Sequence, residues 1–139
     1  MAVLQNKIDF ALVIAVNHAN PNGDPLNGNR PRETYEGLGE ISDVCLKRKI
    51  RNRMMDLGQN VFVQSDDRSD DGCKSLRERA NAVLGKTKDR DEYARIACET
   101  WMDVRSFGQL FAFKGNDISV GVRGPVSIHQ AVSVSPVEI

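Results

Sequence analysis

The residues best suited to chemistry lie between positions 20 and 53. Asn20, Asn22, Asn27 and Asn29 offer amides, Arg30 and Arg32 offer guanidiniums, and Ser42 sits where a helix is predicted to begin and free backbone N–H groups gather. Lys47, Arg48 and Arg51 follow within the next turns. Groups of these types hold phosphates and ribose hydroxyls, and a phosphate contact is the same at every nucleotide, so the pattern implies affinity without sequence preference. Catalytic constellations are harder to find. His18 and His129 are the only histidines, and no H-x-x-x-H, H-E-x-x-H or nucleophile-elbow spacing occurs. His129 stands in an alternating stretch and reads as a hydrogen-bonded sheet residue. Gly37-Leu38-Gly39 precedes the predicted helix but lacks the third glycine of a dinucleotide fingerprint. Asp24 could hold a divalent cation beside RNA or close an Asx-turn, and Asn22-Gly23-Asp24-Pro25 has the composition of turns. Neither a metal site nor a cofactor is expected.

Composition narrows the field further. The chain has 139 residues, with 19 basic and 19 acidic side chains, so overall charge makes no case for a polyanion partner and local charge must carry it. Lys47, Arg48, Lys49, Arg51 and Arg53 cluster against the single acid Asp43, while Asp66, Asp67, Asp70 and Asp71 surround Arg68. One polyanion-facing surface and one water-facing acidic loop would give this segregation, and so would an ordinary solvated surface. The size suffices for a core without staples, and Cys45, Cys73 and Cys98 form no C-x-x-C pair, which fits reduced thiols. No apolar run is long enough to span a membrane, and Met1 to Lys7 lacks the layout of a signal peptide. A cytoplasmic protein is expected.

Certain elements must position these groups. Lys7 to Asn17 is apolar on both faces and predicts a central, covered strand. The next stretch, to Arg32, is too rich in Asn, Pro and Gly for strand or helix and predicts a functional loop. A helix is predicted from the cap Ser42 to about Leu57-Gly58, with Leu46, Ile50, Met54 and Leu57 on one stripe. Lys47 and Arg51 border that stripe on one side, Lys49 and Arg53 on the other. Val61 to Val63 reads as a short strand, Gln64 to Gly72 as a loop, and Cys73 to Leu84 and Asp89 to Trp101 as helices, with Tyr93, Ile96, Ala97 and Trp101 as core. From Asp117 the period returns to two, and the chain ends in strand-like text. The order predicts an α+β fold, a sheet covered by helices on one side.

Asn20-Pro21-Asn22-Gly23-Asp24-Pro25, Gly28-Asn29-Arg30-Pro31-Arg32, and Gly37-Leu38-Gly39 running into Ser42-Asp43-Val44-Cys45-Leu46-Lys47-Arg48-Lys49-Ile50-Arg51-Asn52 together resemble the repeated backbone subunit of CRISPR Cascade, most closely that of type I-C. Asp103-Val104-Arg105-Ser106-Phe107-Gly108 and Val122-Arg123-Gly124-Pro125-Val126 follow in the family's order. The resemblance implies a modified RNA-recognition-motif (ferredoxin-like) palm with inserted loops and helices. It implies a single partial domain over residues 1–139, with a helical finger segment inserted at about residues 64–115. The family's greater length implies that this is an N-terminal part, that the C-terminal palm and thumb are absent, and that a sheet edge and apolar surface are left uncovered.

The resemblance further implies a non-catalytic subunit whose copies tile along one CRISPR RNA. Its RNA grip carries over to Arg30 and Arg32 in the loop, Ser42 at the helix start, and Lys47, Arg48 and Arg51 on the helix, with Asn22 added from the loop amides. Arg105 and Arg123 fall on motif positions and act either as RNA contacts or in structural salt bridges. Cys45 stands where other subtypes can carry a small hydroxyl. Implied partners are other Cascade subunits (a guide-processing subunit, a large subunit and a recruited helicase-nuclease) and target DNA through guide pairing. Two alternatives remain: metal-dependent RNA cleavage at Asp24, as in related type III backbone subunits, and a general RNA-binding module. The second would ordinarily show a paired aromatic platform, which this chain lacks.

Overall fold

A computed structural model describes residues 3–115 and 118–139. Met1 and Ala2 of the N-terminal heptapeptide lie outside the described residues, as does Asp117, from which the last alternating stretch is read. Among the described residues, a run of short strands, a run of α-helices and a second run of short strands follow one another in an α+β fold whose sheets are two-stranded ribbons. The chain divides into two compact units, residues 1–40 with 133–139, and residues 41–132.

In the first unit, β1 (Gly23–Asp24) pairs antiparallel with β2 (Arg30–Pro31), Gly23 opposite Pro31 and Asp24 opposite Arg30. A 3-10 turn at Pro25–Asn27 joins them, capped by the Asp24 carboxylate, which accepts from the Leu26 N–H at 3.0 Å. The predicted long loop is therefore a small, internally bonded ribbon. β3 (Leu38–Ile41) pairs with β6 (Ala131–Pro136), and the Gly39 N–H donates to Ser133 Oγ at 2.9 Å. The boundary between the units falls within both of these strands.

The predicted strand at Lys7 to Asn17 is not formed. None of these residues joins a ladder, and their side chains stay exposed, Val13 by 92%. A strand apolar on both faces needs cover on each face and a hydrogen-bonding neighbour along its edge. No described strand supplies that neighbour.

The second unit holds the core. α1 (Asp43–Asp56) starts where predicted, with Ser42 Oγ accepting from the Cys45 N–H at 3.3 Å, and ends at Leu57. Its apolar stripe is buried at Leu46, half-buried at Ile50 and Met54, and 63% exposed at Leu57. α2 (Leu76–Leu84) and α3 (Arg90–Thr100) are capped by Ser75 and Asp89, whose side chains accept from N–H groups three residues on. Tyr93, Ala97 and Trp101 are buried as the helical spacing requires, joined by Phe62, Ala80, Leu84, Val104, Phe111 and Val120. The Phe62 ring packs 4.8 Å from Trp101 and 5.0 Å from Phe111, within the range for tilted aromatic pairs. α3 packs on α4 (Met102–Phe107) and on β5 (Val120–Arg123), and β4 (Gly108–Phe111) runs antiparallel to β5.

Val61 to Val63 is core but not strand. The N–H groups of Phe62 and Val63 donate to the two carboxylate oxygens of Asp103, at 2.7 and 3.1 Å. A buried side chain thus satisfies the amides that a neighbouring strand would have taken.

Candidate nucleic-acid interface

The basic side chains of α1 are held in different ways. Lys47, one turn after Asp43, donates to its carboxylate at 3.3 Å. Arg48 donates through Nη1 to the Val63 carbonyl at 2.7 Å, and Arg51 through Nε to Asp103 Oδ2 at 2.9 Å. The Lys47 ammonium lies 5.9 Å from the centroid of the Phe107 ring and the Arg51 guanidinium 5.3 Å from it, so one aromatic ring is shared by two cations. Burial, and then the positive charge of Arg51, make Arg48 less basic than an ordinary arginine. Lys49 and Arg53, on the other border of the helix, are exposed, and Arg53 reaches Asp56 at 4.0 Å.

Asp103 organises this face, and residue-type reasoning did not assign it a role. It is 1% exposed and accepts from Phe62, Val63 and Arg51. The motif in which it lies supplied a signal: in Asp103-Val104-Arg105-Ser106-Phe107-Gly108, Asp103 takes the amides, Val104 enters the core, Phe107 carries the cations and Gly108 turns the chain at φ 79°. A side chain on Gly108 would strike the backbone at Val122 and Gly124, and one on Gly124 would strike the backbone of Ser106 and Gly108. The two motifs are therefore one packed turn, and the Val126 N–H closes it by donating to the Ser106 carbonyl at 2.9 Å.

Arg105 is exposed and its guanidinium contacts the Met102 sulfur. Arg123 is exposed at the end of β5, opposite Gly108, and lines an open cleft of about 480 Å³ with Phe107, Gln109 and Gly121. Neither arginine forms an ion pair among the described residues. Ser42 serves as the α1 cap.

In the first unit, Arg30 donates to the Ile139 carbonyl at 3.3 Å, and Arg32 lies 3.7 Å from the Glu40 carboxylate. The Arg32 N–H donates to the Asn22 carbonyl at 3.0 Å, which places these two predicted contacts side by side on one ribbon. The structure thus groups Asn22, Arg30 and Arg32 within one unit, and Lys47, Arg48 and Arg51 on α1 within the other, Lys47 and Arg51 against Phe107 and Arg48 on the Val63 carbonyl. Both groups can hold anionic oxygen through fixed donors. Asp24 is engaged as a turn cap, and no three His, Cys, Asp or Glu side chains gather as metal ligands among the described residues. No described helix is long and apolar enough to cross a membrane.

Comparison with known proteins adds a second line. Residues 6–139 match a family model described as CRISPR-associated protein Cas7. A Haloferax volcanii protein named CRISPR-associated protein Cas7 is 32% identical over 120 residues, which cover 81% of this chain and 34% of that protein. The chain spans about a third of the length of this curated relative.

Proposed function

Because the chain belongs to the CRISPR-associated Cas7 family, we propose that it is part of a CRISPR RNA-binding backbone subunit, of the type I-C Cascade kind, acting in the cytoplasm without catalysing a reaction. This stretch would form the N-terminal part of the modified RNA-recognition-motif palm, with residues 64–115 as its inserted finger segment. Copies pack head to tail, and the length of the bound RNA limits the filament. The remaining partners are other Cascade subunits and target DNA paired with the guide.

The observation that carries the proposal is the convergence of Lys47 and Arg51 on the Phe107 ring, each tied to one carboxylate, with Arg48 held beside them on the same helix by the Val63 carbonyl. Fixed cations of this kind bind a backbone phosphate without reading a base. Asn22, Arg30 and Arg32 offer a separate set of contacts on the first unit, Ser42 adds to those of α1, and Arg105 and Arg123 add exposed charge near β4 and β5.

Fluorescence anisotropy of the full-length protein with CRISPR-repeat RNA and with unrelated RNAs, over a salt series, tests this reading. Lys47→Ala and Arg30→Ala should weaken binding to all sequences about equally, each flattening the salt slope by about 1. Unchanged affinity in both variants would sink it. The metal-dependent alternative is checked by incubating guide-loaded protein with target RNA and Mg²⁺. The target should survive, whereas cleavage abolished by Asp24→Ala would favour the nuclease.

A further inference from the structure

Asp103 does more than close a turn. Its Oδ2 takes the Nε–H of Arg51, a side chain only 13% exposed. That leaves both Nη nitrogens of Arg51 without a hydrogen-bond partner among the described residues. A bidentate pair would have consumed the fork, whereas this one-point grip fixes the guanidinium and keeps its Nη donors for another acceptor. The same carboxylate holds the Phe62 and Val63 amides, and the carbonyl of Val63 in turn takes Nη1 of Arg48. One buried acid therefore sets both arginines, directly for Arg51 and through the backbone for Arg48. Phe107, four residues further along α4, braces Arg51 from the ring side.

We propose that Asp103 is a positioning residue that presents the free donors of Arg51 and Arg48 to a ribose-phosphate backbone. The inference rests on the RNA-binding reading above and adds to it an acidic residue, which charge complementarity alone would exclude from a polyanion site. Coulomb's law gives the test its sign. Removing a negative charge beside a bound polyanion should tighten binding if nothing else changes. Loss of orientation should weaken it.

The experiment compares full-length wild type with Asp103→Asn, Arg51→Ala, Arg51→Lys and Asp103→Asn/Arg51→Ala, with RNA affinity and a thermal melt measured on each. Asp103→Asn should bind about tenfold more weakly, the scale of one charge-assisted hydrogen bond. The double variant should fall below Arg51→Ala by less than the tenfold that Asp103→Asn costs in wild type, because part of the effect of Asp103 passes through Arg51 and only the part through Arg48 is left to lose. Arg51→Lys keeps the charge but lacks the Nε–H and the fork, and should lose affinity with its melt preserved. If Asp103→Asn does not fold, Arg51→Lys carries the test, and wild-type affinity in that variant overturns the proposal. Equal or tighter binding by folded Asp103→Asn also overturns it, as does an Arg51→Ala variant that binds like wild type. Wild type that binds no RNA overturns the functional reading itself, a result distinct from all of these.

Discussion

Residues 8–16 and residues 61–63 are written in the same alphabet of Val, Ile, Leu and Phe, yet they behave in opposite ways. Phe62 is fully buried, while Phe10 is 62% exposed. Hydrophobicity does not separate them. What does is the supply of partners for the backbone: Asp103 accepts from the Phe62 and Val63 amides, and the aromatic cluster covers the ring. Residues 8–16 have neither a paired edge nor a covered face among the described residues. Apolar text therefore becomes core only where something satisfies the peptide groups that must be buried with it.

The widest test of this contrast is truncation of one ring in each region. Phe62→Ala should cost about 3–5 kcal/mol in chemical denaturation of the second unit, from lost burial and the cavity left behind. A cost below about 1 kcal/mol would mean that the cluster around Phe62 is not the core.

The loop after Val63 sharpens the same point, because it too is held by a side chain. The Arg79 guanidinium bonds the Asp71 carboxylate, the Phe62 carbonyl, Gln64 and Ser69. The Asp71 carboxyl is held well below the usual carboxylate range, chiefly by its hydrogen bonds from Arg79. A depressed folded value means that the stabilisation is present above the unfolded pKa of about 4 and fades as pH falls toward the folded value. Urea melts between pH 5 and pH 2.5 should therefore show acid destabilisation that Asp71→Asn removes. Arg79→Ala, which removes the guanidinium from the Asp71 carboxylate and the Phe62 carbonyl, should cost about 1–3 kcal/mol at neutral pH.

Smaller is the effect expected at the α1 cap, where stability and binding separate. Ser42→Ala should lose about 1 kcal/mol of stability. Ser42→Asp keeps a capping oxygen and adds a negative charge at a proposed phosphate contact, so the melt should hold while RNA affinity drops. If both variants bind RNA like wild type, Ser42 is a cap alone.

Least of all should Phe10→Ala matter. Its ring is exposed, so stability should stay within about 0.5 kcal/mol of wild type. A larger loss would show that residues 8–16 are packed in solution, and would erase the contrast with Phe62.

The helices were legible because their signals are local. Ser42 and Asp89 mark two helix starts, and Tyr93, Ala97 and Trp101 mark one face by spacing alone. By contrast, α2 starts at Leu76 after the Ser75 cap rather than at Cys73, and the short α4 was not legible as a helix. What escaped was decided by residues far apart in sequence. Nothing around Val61 indicates that Asp103 will replace a neighbouring strand, and nothing around Lys7 indicates whether a second strand will lie beside it. The site was legible in kind, as a basic helix face after an amide-rich loop. Its geometry was not, because the pairing of Arg51 with Asp103 and the sharing of Phe107 depend on α4 folding back onto α1.

The back-to-back approach of Gly108 and Gly124 bears on how such proteins can diverge. Neither position can acquire a β-carbon unless the backbone facing it gives way, so a change at one is tolerated only with a compensating shift at the other. Selection sees these two stretches as a single heritable unit, and substitutions on either side of that contact should accumulate in step.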